Sequence, residues 1–117
     1  MGFLTTHVLD TANGCPAENV SIGIYRFSNN IIVHLMDTVT NEDGRCENPL
    51  LKDDGFLVGT YQLEFHIGDY FKGRGLDLVA PNFLDVIPIR FGISLPKEHY
   101  HVPLLVSPFS YSTYRGS

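Results

Sequence analysis

The chain has 117 residues, enough for one domain that buries roughly two-thirds of the surface its unfolded form exposes. Lys and Arg total 8 against 13 Asp and Glu, a net charge of −5, which argues against nucleic acid and against an anionic membrane surface. No apolar run approaches the ~20 residues of a spanning helix, and the start, Met1-Gly2-Phe3-Leu4, lacks the basic and apolar regions of a secretory signal.

Period-two alternation broken by turn residues dominates the chain and predicts strands. Leu4 to Asp10 reads as the first, followed by a turn signal at Asn13-Gly14 and Pro16. Ile22 to Phe27 is a second strand. Ser28-Asn29-Asn30 turns the chain into a third, Ile31 to Thr38, whose Ile31, Val33 and Leu35 point one way. Asn41-Glu42-Asp43-Gly44 is the next turn. Tyr61 to Ile67 alternates most clearly, with Tyr61, Leu63, Phe65 and Ile67 inward and Gln62, Glu64 and His66 outward. Gly68 to Gly75 breaks the rhythm. Asp69 near its front and Lys72 and Arg74 behind suit the dipole of one short helix. Phe83 to Ile93 returns to strand, with Pro88 marking an edge or bulge. Tyr100 to Val106 and Tyr111 to Arg115 complete the series. Seven or eight short strands and one helix predict a single all-β domain over 1–117, an antiparallel sandwich.

Reactive side chains stand in three places. His7 shares a strand face with Phe3, Thr5 and Leu9, a setting in which a lone histidine is most often structural. Arg45 follows the Asp43-Gly44 turn, where an arginine is usually solvated. His99, His101, Pro103 and Leu105 form one face of a strand whose other face, Tyr100, Val102, Leu104 and Val106, suits a core. The histidine face is too apolar for open water, so it is expected to meet a cleft or another subunit. Two histidines at i and i+2 are a possible metal pair, but no third ligand stands at a telling spacing, and no metal is expected. His34 and His66 read as structural or solvated. Cys15 and Cys46 read as reduced structural thiols. No nucleophile elbow, phosphate loop or dinucleotide fingerprint is present.

The same residues carry a family resemblance. Leu4-Thr5-Thr6-His7-Val8-Leu9-Asp10, continuing through Gly14 and Pro16-Ala17, resembles the first strand of the 5-hydroxyisourate hydrolases, the transthyretin-related enzymes of urate breakdown. Asp43-Gly44-Arg45 is similar to that family's arginine loop. His99-Tyr100-His101-Val102-Pro103-Leu104-Leu105-Val106-Ser107-Pro108 resembles its penultimate strand, and Tyr114-Arg115-Gly116-Ser117 its enzyme-specific terminus. The resemblance runs from about residue 4 to the last residue, with four motifs in order.

What the resemblance implies is concrete. The fold would be a transthyretin-like sandwich of two four-stranded sheets with one short helix. Four copies would assemble as a dimer of dimers with active sites in clefts between dimers. The substrate would be 5-hydroxyisourate, hydrolysed without metal or organic cofactor to 2-oxo-4-hydroxy-4-carboxy-5-ureidoimidazoline. His7 and His101 would activate water and transfer protons, Arg45 would bind and polarise the substrate, and Tyr114, Arg115, Gly116 and Ser117 would close the site. The alternative is a transthyretin-like carrier of a small hydrophobic hormone, for which this polar set has no use. With no Ser-Lys-Leu ending, the cytoplasm is the default compartment and the peroxisome an alternative.

Overall fold

The computed structural model describes residues 2–116, so the Ser117 expectation lies outside the described residues. Nine strands and one α-helix follow in order: β1 (Phe3–Asp10), β2 (Cys15–Pro16), β3 (Ser21–Ser28), β4 (Ile31–Val39), β5 (Leu51–Lys52), β6 (Gly59–His66), α1 (Ile67–Gly73), β7 (Val86–Ile93), β8 (Tyr100–Val106) and β9 (Tyr111–Thr113). One sheet is ordered β4-β3-β6-β7. The other is ordered β2-β1-β8-β9, with β5 paired to the start of β1. This is the expected transthyretin-like sandwich, except that one sheet has five strands rather than four; its two-residue strands β2 and β5 are too short to show a period.

One pairing departs from the antiparallel expectation. β1 and β8 run parallel over seven registered positions, from Leu4 opposite Tyr100 to Asp10 opposite Val106. Both strands point Leu4, Val8, Leu104 and Val106 into the core, where all four are fully buried. Their other faces turn outward together, which places Thr5, His7 and His101 on one surface of the molecule.

The opposite layer contributes Ile22 and Ile24 from β3 and Tyr61, Leu63 and Phe65 from β6, each at most 1% exposed. Burial of such side chains contributes about 1.5–3 kcal/mol each. Gln62, expected outward, is nearly buried. Its strand lies between two neighbours, and the side chain accepts from Arg90 Nε at 3.0 Å and donates to Glu64 at 2.8 Å. β4 is an edge strand exposed on nearly its whole length, so its apolar stripe does not reach the core. Its register with β3 shifts at Ile24/Tyr25, which leaves Leu35 as the extra residue of a bulge. β7 is the other edge of that sheet and tolerates Pro88 for that reason. The strand begins at Val86 rather than Phe83, whose ring is exposed.

Helix α1 is tied to the end of β1 through a buried polar network. Tyr70 donates to Asp10 Oδ2 at 2.7 Å, and the same carboxylate accepts from the backbone of Ala12 and Asn13 and from the Asn13 amide. Burial pushes the Asp10 carboxyl upward, but the donors from Asn13, Tyr70 and Ala12 outweigh it, and the net shift is downward from 3.8. A depressed carboxyl contributes stability above its unfolded value and loses it as pH falls through the folded value. Asp10→Ala leaves the Tyr70 hydroxyl and two turn amides unpaired. It is expected to destabilise the fold by about 1–3 kcal/mol in urea unfolding at neutral pH, with the difference shrinking in acid. A variant as stable as the parent at pH 7 would contradict this role.

Candidate active site

Parallel pairing sets Thr5 opposite His101 and His7 opposite Pro103, so His7 and His101 lie on adjacent strands, two register positions apart. Two further segments flank this pair. On the β1 side, residues 41–45 fold into a turn around Asn41. Its side-chain oxygen accepts from the backbone of Asp43 at 2.9 Å and of Arg45 at 3.2 Å. Gly44 has φ +74 and abuts the Val8 carbonyl, so a side chain there would meet both backbone strain and backbone. Its carbonyl accepts from Val8 N–H at 2.8 Å, and the bridge between His7 and Arg45 follows from this docking. On the β8 side, Gly116 N–H donates to the His101 carbonyl at 2.7 Å. A Cβ on Gly116 would stand 2.6 Å from His101 Cδ2, so glycine lets the tail lie against the ring. Arg45, His7, His101 and Gly116 thus form one row across the sheet.

Beside them opens a cleft of ≈ 490 Å³ to which Arg45 and His101 contribute, with Thr5, Cys46, Glu47 and His99; His7 and Gly116 are not among its lining residues. Arg45 is exposed, and among the described residues no carboxylate pairs with its guanidinium. Burial, and next the Arg45 cation, hold the His7 ring below its ordinary value of 6.5. Burial and then Arg45 do the same for His101, joined by His7 and His99. Both effects favour the neutral imidazole, the state in which a histidine accepts a proton. Cys46 is a poor rival nucleophile: burial pushes its thiol up, a hydrogen bond involving Thr38 offsets part of this, and a protonated thiol is weakly nucleophilic. Cys15 and Cys46 are both free thiols.

The expected site residues do not all meet in one chain. Tyr114 is exposed, and the Arg115 guanidinium stacks 4.0 Å over Tyr100 and bonds Glu98 at 2.9 Å. Both face a separate hollow of ≈ 240 Å³ by Ile89, Phe91 and Val102. Thr5, Asn41 and Glu47 were not singled out from sequence. Thr5 carried a signal, since it shares the face of His7 at i−2, but its partner across the sheet was hidden by the unexpected parallel pairing. Among the described residues no group of three or more His, Cys, Asp or Glu could hold a metal. His99 and His101 are instead both within 2.9 Å of the Thr5 hydroxyl. His34 is exposed and bonds Asp37, as a solvated histidine would.

A model of the HIUase/Transthyretin family matches residues 4–116. The 5-hydroxyisourate hydrolase of Pseudomonas aeruginosa is 53% identical over 117 residues, which cover 100% of this chain and 93% of that protein. The crystal structure of an (S)-allantoin synthase matches with a TM-score of 0.94 and 54% identity over 99% of this chain; the chain spans 44% of that longer protein. Sea bream transthyretin, solved in complex with thyroxine, matches with a TM-score of 0.85 and 28% identity, over 97% of this chain and 93% of that one.

The electrostatics of the row has a measurable consequence. Arg45→Gln removes the cation that disfavours imidazolium, so the His7 and His101 pKa values are expected to rise toward 6.5 in an NMR titration. Unmoved ring titrations would show that Arg45 does not act on them.

Proposed function

The chain belongs to the HIUase/transthyretin family, and we propose that its 117 residues form one hydrolase domain that opens the six-membered ring of 5-hydroxyisourate with water. The observation that carries the reading is that His101 and Arg45 line one open cleft, with His7 bridged to Arg45 beside it, the charged form of both imidazoles disfavoured, and the guanidinium paired with no carboxylate among the described residues. Hydrolysis of a ring amide needs these parts: a base for water, a cation for the developing oxyanion, and a clamp for a flat, carbonyl-rich heterocycle.

Water's oxygen bonds to the ring carbonyl carbon while one of its protons passes to a histidine, His7 or His101. The planar Arg45 fork holds two substrate oxygens and takes up the charge that develops on the carbonyl. The histidine then returns the proton to the departing ring nitrogen as the C–N bond breaks. The product carboxyl ionises, and 2-oxo-4-hydroxy-4-carboxy-5-ureidoimidazoline results with one proton released. The carbonyl is electrophilic enough that the proposal involves no metal or cofactor.

The carrier alternative uses the same fold, which by itself decides nothing. The hydrolase is favoured because its named relative is 53% identical and the thyroxine-bound transthyretin 28% identical. A hormone channel also gains nothing from His7, Arg45 and His101.

The proposal extends to assembly. In a homotetramer, a dimer of dimers, the open face of Thr5, His7 and His101 is covered by another copy. Phe3, Phe109 and Tyr111 stand exposed on the same sheet or beside it, which supports burial against a partner. Tyr114, Arg115, Gly116 and Ser117 complete the site in that assembly. Its compartment is taken as the cytoplasm; among the described residues no helix is long and apolar enough to cross a membrane.

Two measurements check this. Added to urate undergoing oxidation by urate oxidase, the protein should hasten decay of the hydroxyisourate absorbance beyond its spontaneous rate, and His101→Asn should lower turnover by about 10²–10⁴-fold. Unchanged kinetics in that variant would overturn the assignment. Light scattering in dilute buffer should give a mass four times the 13.1 kDa of one chain; a persistent monomer would refute the assembly.

A further inference from the structure

We propose that His101 is the base, and that Thr5, braced by His99, is the positioning residue that keeps the His101 proton on Nδ1 and leaves Nε2 bare for the attacking water. The inference rests on the hydrolase reading and deepens it.

Thr5 sits opposite His101 in the parallel ladder, and its Oγ1 lies 2.8 Å from His101 Nδ1. The same oxygen lies 2.9 Å from His99 Nε2. A hydroxyl has one proton to donate and two lone pairs. Between two ring nitrogens it therefore donates to one and accepts from the other, which couples the tautomers of the rings. Either His101 carries its proton on Nδ1 and Thr5 donates to His99, or His99 donates to Thr5 and His101 carries its proton on Nε2.

The surroundings select the first arrangement. With Nδ1 held by Thr5, Nε2 is the His101 nitrogen left for the cleft that it shares with Arg45. A cation favours a lone pair turned toward it over an N–H. The charged and titratable groups around His101 are Arg45, His7 and His99, and Glu47 also lines the cleft. Among the described residues the tail lies against the ring with Gly116, which carries no side chain. The His99 ring also packs 4.1 Å from that of Phe3. The order water–His101–Thr5–His99 follows the logic of a base oriented by a third group.

The arrangement also serves the charged state. When Nε2 takes water's proton, Nδ1–H remains donated to Thr5, whose own proton points at His99, so the imidazolium keeps an acceptor. Neither Thr5 nor His99 exchanges a proton in this scheme. Water's proton leaves Nε2 for the departing ring nitrogen.

The test uses the full chain, with Thr5→Val, which keeps the shape and removes the hydroxyl, and Thr5→Ser, which restores it. Ring ¹⁵N shifts at neutral pH should show His101 protonated on Nδ1 in the parent and in Thr5→Ser, and a mixture of tautomers in Thr5→Val. In the coupled urate assay Thr5→Val should lose about 10- to 100-fold in kcat, a part of the ~10²–10⁴ that general base catalysis supplies, with KM little changed. Thr5→Ser should regain most of it. A parent His101 protonated on Nε2 overturns the proposal even if Thr5→Val does not fold. Full kcat in Thr5→Val overturns it as well. A parent protein that fails to hasten hydroxyisourate decay would instead overturn the hydrolase reading, whatever the ¹⁵N shifts show.

Discussion

The parallel ladder between β1 and β8 is the constraint on which the rest of the molecule depends. It joins residues 4–10 to residues 100–106, so the two ends of the chain lie side by side. One face of the ladder supplies Leu4, Val8, Leu104 and Val106 to the core, and their burial locks the register. The other face then has no freedom: once Leu4 stands opposite Tyr100, Thr5 must stand opposite His101. The Gly44 turn and the Gly116 tail dock on the two flanks of this ladder, each through a backbone hydrogen bond that glycine's small size permits. The apolar half of β1 and β8 thereby fixes the geometry of the polar half.

That geometry sets the charge balance of the cleft. Taking two histidines partly out of water disfavours their charged forms, and a guanidinium beside them adds to the effect. Arg45 itself, exposed and unpaired among the described residues, keeps its charge available to an incoming oxygen. The thiol at Cys46 is held protonated by the same burial. Water, imidazoles whose charged forms are disfavoured and one exposed cation remain, a set matched to hydrolysis of an activated carbonyl.

Much of this was legible in the sequence. The alternation of Leu4 to Asp10 and of Tyr61 to Ile67 marked the buried faces, and the breaks at Asn29-Asn30 and Asp43-Gly44 marked the turns, where Asn29, Asn30 and Gly44 do take positive φ. His7, Arg45 and His101 were identified through motifs. Thr5 was passed over because period two places it on the face of His7 and says nothing of which strand lies opposite. The tail motif names Tyr114 and Arg115 as lining residues, but β9 ends at Thr113, Tyr114 stands exposed, Arg115 is held by Tyr100 and Glu98, and among the described tail residues it is Gly116 that bridges to His101. Gln62 keeps the outward position that alternation gives it, but an outward position on a central strand is still covered by its neighbours.

The chain's relatives on this fold include 5-hydroxyisourate hydrolases and a transthyretin solved with thyroxine, so the distinction rests on where a flat heterocycle seats. The most direct measurement is a crystal structure of the protein with an unreactive oxidised-purine analogue. The account predicts the ring in the cleft between β1 and β8, with the Arg45 fork on two of its oxygens and His101 Nε2 within hydrogen-bond reach, or one water, of the carbonyl carbon's attack position. An analogue seated in the hollow of Tyr100, Tyr114 and Arg115, with His7, Arg45 and His101 untouched, would contradict it.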